Sequence, residues 1–444
     1  MMLLKRTIKA IQCISMAVFL MCCTTTVDGQ QLQTYISNPE VLESNLEFLQ
    51  KGNNASVKQA IELLKAQGNT IMKRQPRSVV EKSYVPPSGD KHDFVSLAGY
   101  YWPDPKKKDG LPYIHKDGQW NPEASKIKDR SDLIQMSKDV RALGTLYYYT
   151  KDEQYAKKAT EFLTRWFLND KTKMNPNLQF GQGVRGVNEG RSVGMVDTRD
   201  LVDLLDGVQL LSGSQAWTAS NNNQLKAWFK DYLNWMLTSN IGKSTQNITN
   251  NIGTAYLAQV VCFSVYTDQP QIGRKYFDQM LPKLFDDQFE SDGKQPHELK
   301  RKDAWMYSNS NLNQWMKLLQ LARLVDFDLW GYSYKGKSLE KAYSWMLPYS
   351  EGKAQWTYGK KEGVDMRATF EANRKRAELH RATGGAELSV RRNVANAKTS
   401  VANAKQGVLK LISGKSSENN TASATAKTTI TNSNALSFLT EVNF

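Results

Sequence analysis

Cysteine and histidine are both scarce in this chain, and the scarcity narrows its chemistry. Of four cysteines in 444 residues, Cys13, Cys22 and Cys23 lie in the leader, so only Cys262 remains in the body of the protein. An intramolecular disulfide is therefore excluded once the leader is removed. Cys262 sits in an apolar stretch with no CxxC partner and no histidine near it in sequence, so it reads as a small buried hydrophobe and not as a nucleophile. The histidines are His92, His115, His297 and His380. None pairs with another at metal-ligand spacing, so no metal centre and no cofactor are expected. Strand-like alternation is sparse, no sequence period repeats, and no helix-turn-helix, zinc-finger or RNA-sheet motif occurs. Nucleic acid is accordingly not an expected partner.

Long apolar runs are lacking too. The run from Ile11 to Cys23 follows Lys5, Arg6 and Lys9, but falls short of the roughly 20 residues that cross a bilayer as a helix. Val27 and Gly29 are small enough to suit cleavage before Gln30, so residues 1–29 read as a signal peptide. The alternatives are an uncleaved anchor or a lipoprotein, the latter disfavoured by Met21 ahead of Cys22. A secreted or periplasmic location follows, with no stable membrane insertion after cleavage and a monomer expected.

With 40% apolar and 10% aromatic residues the body can bury one large core or two modest ones. Leu133, Met136, Val140, Leu143 and Tyr147 recur at helical spacing, and so do Tyr155, Ala159, Phe162, Trp166 and Phe167 in the next segment. Similar patterns run through 197–212, 222–239, 252–267, 272–288, 308–325 and 337–347. Paired amphipathic helices without a βαβ unit predict an all-α fold of helical hairpins, an α/α toroid or incomplete barrel, with an open solenoid as the rival.

Two segments break the rhythm. Residues 91–123 form a long loop dense in Tyr, Trp, Pro and Gly, which serves either as a sugar-binding surface or as a structural flap. After Tyr358 there is no further Tyr or Trp. Residues 366–444 read as a basic, low-complexity extension, with a short repeat at 394–405 and a polar stretch at 413–436 expected to be disordered. The toroid domain is thus expected over 30–365. The formal net charge is +15, roughly two-fifths of it after residue 360, which fits an anionic polysaccharide, nucleic acid or a solvated surface.

Five blocks carry a resemblance. SLAGYYWPDP with DGLPYIHKDGQWNPE, MNPNLQFGQGVRGVNEGRSVGMVDTRDL, NNIGTAY, DGKQPHELKRKDAWMYSNSNL and WMLPYSEGKAQW appear in that order across roughly 91–357. Together they resemble the successive blocks of the alginate lyase family, α/α-toroid polysaccharide lyases, and mark the chain as a divergent member. The resemblance implies β-elimination on an acidic uronate polymer. Such a reaction removes the C5 proton, α to a carboxylate, and expels the C4 oxygen. It needs a group to neutralise the carboxylate, a base at C5 and an acid at the leaving oxygen.

Matched by motif, Tyr307 corresponds to the family's catalytic tyrosine, Arg301 to the arginine upstream of it and Asn251 to the asparagine that helps bind the carboxylate. A cation beside Tyr307 is expected to lower its pKa from about 10 and fit it to act as base. Gln182, Tyr100, Tyr101 and Trp102 fall in blocks that border the cleft. Read without the resemblance, Tyr307 could be a core tyrosine, Arg301 a surface member of Lys300-Arg301-Lys302, and Asn251 a helix cap. Asp197 and Arg199 read as a helix-start ion pair.

The chain departs from the family pattern where a histidine should follow the asparagine; it has Ile252, and Met306 precedes the tyrosine where a second histidine is common. Isoleucine can neither accept a proton nor donate to a carboxylate. In mannuronate or glucuronate the C5 proton and C4 oxygen share a face, so one tyrosine can serve as base and acid. In guluronate they do not, and a second group is needed. The expectation is therefore an active lyase preferring mannuronate- or glucuronate-type linkages, such as polymannuronate, alginate or glucuronan. His297 is the candidate to replace the lost imidazole, or otherwise a structural hydrogen-bonder. Two alternatives remain open: a non-catalytic polysaccharide-binding relative, and a hydrolase using paired acids among Asp197, Asp292 and Glu298.

Overall fold

A computed structural model of the chain describes residues 32–52, 54–361, 373–378, 430–432 and 434–441. The expected signal peptide lies outside the described residues, as does most of the C-terminal extension, including the repeat at 394–405.

Helical periodicity is realised in a succession of hairpins. Helix α1 (Pro39–Lys51) begins at Asn38, whose side chain accepts from the Glu40 and Val41 amides, and Pro39 enters the first turn where it sacrifices no hydrogen bond. Gly52, at φ 67°, ends it in the left-handed region, and α2 (Ala55–Met72) starts at once, capped by Asn54. The next pair, α3 (Asp129–Thr150) and α4 (Glu153–Leu163), is joined through Lys151, at φ 54°, and Asp152, which caps α4 by accepting from Gln154. Then follow α5 (Leu201–Leu210), α6 (Ala219–Thr238), α7 (Asn240–Thr245), α8 (Asn251–Tyr266), α9 (Pro270–Gln288), α10 (Pro296–Leu299), α11 (Ala304–Ala322) and α12 (Leu339–Ser350).

Helix α3 packs on α4 and α5, and α8 packs on α6, α9 and α11, the paired-hairpin arrangement of an α/α toroid. Helices α3 and α5 come into direct backbone contact. A Cβ on Gly144 would lie 2.2 Å from the Gly207 carbonyl oxygen, so both glycines let the two backbones touch. Helix α8 is buried along almost its whole length, from Gly253 to Tyr266, which fits its apolar sequence and leaves only its first two residues half-buried. Cys262 is fully buried there, and burial pushes its thiol well up, consistent with an inert thiol.

The aromatic loop is anchored, not free. It carries β1 (Val95–Leu97), β2 (Tyr101–Trp102) and β3 (Ile114–His115), with β2 and β3 antiparallel and Tyr101 opposite His115. Strand β1 pairs in parallel with β4 (Phe180–Gly183), which brings the second of the five sequence blocks against the first. Val95, Phe180 and Ile127 form a small apolar cluster beneath that pairing. A minor antiparallel pair, β5 (Ser333–Tyr334) and β6 (Lys337–Ser338), precedes α12.

The end of the chain departs from the disordered tail read from its composition. Helix α13 (Ala435–Thr440) docks on α1, α2 and α3, with Phe438 and Leu439 buried. The Asn45 amide and the Tyr149 hydroxyl donate to the Leu439 carbonyl, and Glu441 pairs with Arg141 at 2.6 Å and with Arg376. Polar composition concealed a short apolar face, Ala435, Phe438 and Leu439, whose burial against the first helical hairpins outweighs the cost of ordering it.

Candidate active site

Tyr307 lies in the first turn of α11, half-buried, and the Arg301 guanidinium stacks on its ring 3.9 Å from the centroid. Lys300 and Lys302 are exposed while Arg301 is half-buried, so the backbone turn between α10 and α11 separates the arginine from its basic neighbours. Arg301 also donates to the Asp117 carboxylate at 3.2 Å, reaching the aromatic loop 184 positions away. That loop meets Tyr307 as well, through a hydrogen bond between the Tyr100 and Tyr307 hydroxyls.

These contacts correct one expectation. Burial, followed by the bond to Tyr100, pushes the Tyr307 phenol up to about 12, although Arg301 pulls it down. The adjacent cation is present as foreseen, but desolvation outweighs it. At rest Tyr307 holds its proton.

Asn251 is the first residue of α8, half-buried. The cap is its neighbour: Asn250 accepts from the Ile252 amide at 3.0 Å. Asn251 is thereby released from the capping role that its position suggested, and its side chain bonds to no other described residue. Ile252 follows it, half-buried. His297 is exposed and joined to Asp287, Nε2 to Oδ2 at 3.1 Å; Asp287 in turn accepts from the Thr249 hydroxyl at 2.6 Å. The His297–Asp287 pair therefore stands at the start of α8. No hydrogen bond among the described residues joins His297 to Tyr307 or Asn251.

Along the loop, Tyr100 meets Trp120 edge-on at 6.1 Å, and Trp120 fits because Gly99 has no Cβ: one there would lie 2.2 Å from the indole. Tyr101 lies against His115 at 5.1 Å and beneath the Arg191 guanidinium at 5.0 Å. Trp102 has Lys116 over its ring at 5.4 Å and donates to the Gln119 carbonyl. All three loop aromatics are half-buried.

Gln182 sits in the left-handed region at φ 51°, an uncommon conformation for a residue with a side chain and one often found at functional positions. Three partners hold it there. Its amide N–H donates to Ser96 Oγ at 2.7 Å, its side-chain Nε2 donates to Asp197 Oδ1 at 2.8 Å, and its carbonyl oxygen accepts from Arg191 Nε at 3.0 Å.

Asp197 had read as half of a helix-start pair with Arg199. Instead Arg199 lies 3.9 Å from Asp200, and Asp197, 1% exposed, accepts from Gln182, from Ser96 Oγ at 2.6 Å and from Arg130 Nε at 2.8 Å. Arg130 also lies over Trp120 at 5.5 Å, so one buried carboxylate organises both the glutamine and the loop. Asp117, Arg130, Arg191 and Trp120 were not singled out from sequence. The aromatic density of the loop hinted at Trp120 alone.

Among the described residues no group of three or more His, Cys, Asp or Glu side chains could hold a metal ion. No helix among them is long and apolar enough to cross a membrane. The arrangement offers a phenol with a guanidinium stacked on it and, at the start of α8, a carboxamide with no bond to another described residue, the group types that neutralise a carboxylate and move a proton beside it.

The model of the family described as alginate lyase matches residues 78–356. A crystal structure of an alginate lyase from Bacteroides ovatus is 34% identical to the chain, covers 84% of it and 99% of its own length, and superposes with a TM-score of 0.74. The structure of a histidine-to-alanine variant of alginate lyase A1-III complexed with a tetrasaccharide shares the fold. It is 14% identical, covers 81% of this chain and 90% of its own, and has a TM-score of 0.51; the wild-type enzyme comes from Sphingomonas species A1. No curated protein matches.

Proposed function

The chain belongs to the alginate lyase family, and from that premise we propose that it is an exported lyase cutting an acidic uronate polymer by β-elimination, with Tyr307 as base and acid. The observation that carries the reading is the Arg301 guanidinium stacked on Tyr307 under Tyr100. Arg301 and Asn251 hold the substrate carboxylate and spread its charge, which acidifies the C5 proton. The Tyr307 phenolate takes that proton; the electrons of the C5–H bond form the C4=C5 double bond; the C4–O bond breaks; and Tyr307 returns the proton to the departing oxygen. Each tenfold in rate corresponds to about 1.4 kcal/mol of barrier, so neutralisation of the carboxylate has to supply several kcal/mol.

The resting phenol must lose its proton before it can act as base. Two of the groups that keep it there, the Tyr100 hydroxyl and the Asp117 carboxylate, belong to the aromatic loop. A sugar lying between loop and Tyr307 parts them from the phenol, while Arg301 stays stacked on the ring. Polymannuronate, alginate rich in mannuronate, or glucuronan suits a site with one proton-carrying group, because the C5 proton and C4 oxygen then share a face. The basic surface fits a polyanion, and the features of residues 1–29 support export.

The test follows ultraviolet absorbance of the double bond together with reducing ends, on polymannuronate, polyguluronate, glucuronan and a neutral glucan. Both signals rising on polymannuronate or glucuronan, and the ultraviolet signal vanishing in Tyr307→Phe, are expected. Reducing ends without absorbance would mean a hydrolase and overturn the reading. A second reading, a polysaccharide binder without turnover, is favoured by Ile252 and by the protonated resting state of Tyr307. It predicts binding with neither signal.

A further inference from the structure

We propose that Arg191 is a second carboxylate receptor, which binds the uronate residue neighbouring the one held at Arg301; this rests on the lyase reading for its substrate class. The guanidinium of Arg191 is half-buried and fixed on three sides. Its ring neighbour is Tyr101, at 5.0 Å. Its Nε donates to the Gln182 carbonyl at 3.0 Å, and its Nη2 donates to Gln182 Oε1 at 3.3 Å. Its backbone is tied as well, the Arg191 amide donating to the Gly181 carbonyl at 3.0 Å. Gly190 just before it lies so close to the Gln179 carbonyl oxygen, 1.9 Å for an added Cβ, that no other residue fits there.

The direction of these bonds is imposed from below. Asp197 accepts from Gln182 Nε2 at 2.8 Å, which turns the amide so that its oxygen faces Arg191. Two acceptors on Gln182 thus occupy the Nε edge of the guanidinium. An arginine has five N–H groups, and the pair left at the outer edge, on Nη1 and Nη2, has the fork geometry that matches a carboxylate. No described carboxylate lies within ion-pair distance of Arg191, whereas Arg74, Arg130, Arg141, Arg165, Arg185 and Arg301 each have one. A rigid guanidinium with no acid of its own and a vacant fork is prepared for an acid that arrives with a ligand.

Its location gives the ligand. Tyr101, under Arg191, is the next residue after Tyr100, which bonds Tyr307. The two arginines are thus tied to consecutive tyrosines of one loop, Arg301 through Tyr307 and Tyr100, Arg191 through Tyr101, and the reacting sugar is proposed to lie at Arg301 and its neighbour at Arg191. A polymer in which every ring carries a carboxylate satisfies both, and a neutral glycan satisfies neither.

Kinetics of Arg191→Met on polymannuronate test this. A charge-assisted bidentate contact predicts a KM raised about tenfold or more, with kcat changing far less. Arg191→Lys, which keeps the charge but loses the fork, should fall between Arg191→Met and the wild type. Melting temperatures of all three proteins separate binding loss from unfolding. An unchanged KM in a folded Arg191→Met protein, or a loss confined to kcat, overturns the assignment. Absence of ultraviolet signal in the wild type sinks the lyase reading instead, and calorimetric titration of polymannuronate then decides the matter at Arg191. Weaker binding by Arg191→Met sustains the receptor; equal binding removes it.

Discussion

Asp117 and Arg301, 184 positions apart, are joined by an ion pair of 3.2 Å that spans from the aromatic loop, just after β3, to the turn before α11. The same guanidinium stacks on Tyr307 at 3.9 Å. In the resting protein a carboxylate from the loop thus rests on the arginine that the proposed mechanism gives to the substrate carboxylate.

Asp117→Asn should therefore bind polymannuronate more tightly. Asp117 is 59% exposed, so the pair is a screened one worth at most about 1 kcal/mol, and KM should drop by up to about fivefold. Steady-state kinetics at low and moderate salt check this, and the difference between variant and wild type should shrink as salt rises. A KM that rises would show that Asp117 helps to hold substrate.

The pH profile is set by a phenol pushed up to about 12. A base acts in its deprotonated form, and raising its pKa moves the ascending limb to higher pH. The kcat/KM of the free enzyme should thus climb through the alkaline range for as long as circular dichroism shows the fold intact. A plateau reached below neutrality would exclude Tyr307 as the base.

Position 252 can be tested by restoring what the family pattern holds there. Ile252 is half-buried in the first turn of α8, beside Asn251. The wild type should leave polyguluronate nearly untouched, while Ile252→His, by adding a proton-carrying group next to the asparagine proposed to bind the carboxylate, should raise ultraviolet absorbance on that polymer. Efficient polyguluronate cleavage by the wild type would contradict the single-tyrosine mechanism.

Asp197→Asn should destabilise the protein by about 1.5–3 kcal/mol, because the charge-assisted hydrogen bonds that the buried carboxylate accepts from Ser96, Gln182 and Arg130 are weakened or lost. Urea unfolding reads this directly. The variant should also weaken substrate binding, since Gln182 loses the partner that orients its amide.

How far the sequence reached can be judged from single residues. Helix spacing at Leu133, Met136, Val140, Leu143 and Tyr147 describes the buried face of α3 correctly, because amphipathic periodicity is a local property. Block resemblance was enough to single out Tyr307 and Arg301, which do meet. It could not tell that Asn250 and not Asn251 caps α8, because two adjacent asparagines offer the same chemistry and only the backbone direction chooses between them. Asp197 misled for the opposite reason: Arg199 is near in sequence, but the chain turns so that Asp197 points inward to Ser96, Gln182 and Arg130. The low-complexity reading of the 366–444 extension likewise hid α13, whose apolar face becomes meaningful only against α1, α2 and α3.

The sequence by itself determined the helical character of the chain and its family, and it pointed to the tyrosine and arginine proposed for the site and to Ile252 where the family pattern has a histidine, all of which depend on residue type and short spacing. Tertiary structure decided what those residues experience. It brought Tyr100 and Asp117 from one end of the chain onto Tyr307 and Arg301, and it buried the phenol deeply enough that desolvation exceeds the pull of its cation. It also left Arg191 with an open fork. Local pattern specifies which groups are available, but the electrostatic state of a group depends on distances and burial that contacts between remote segments create.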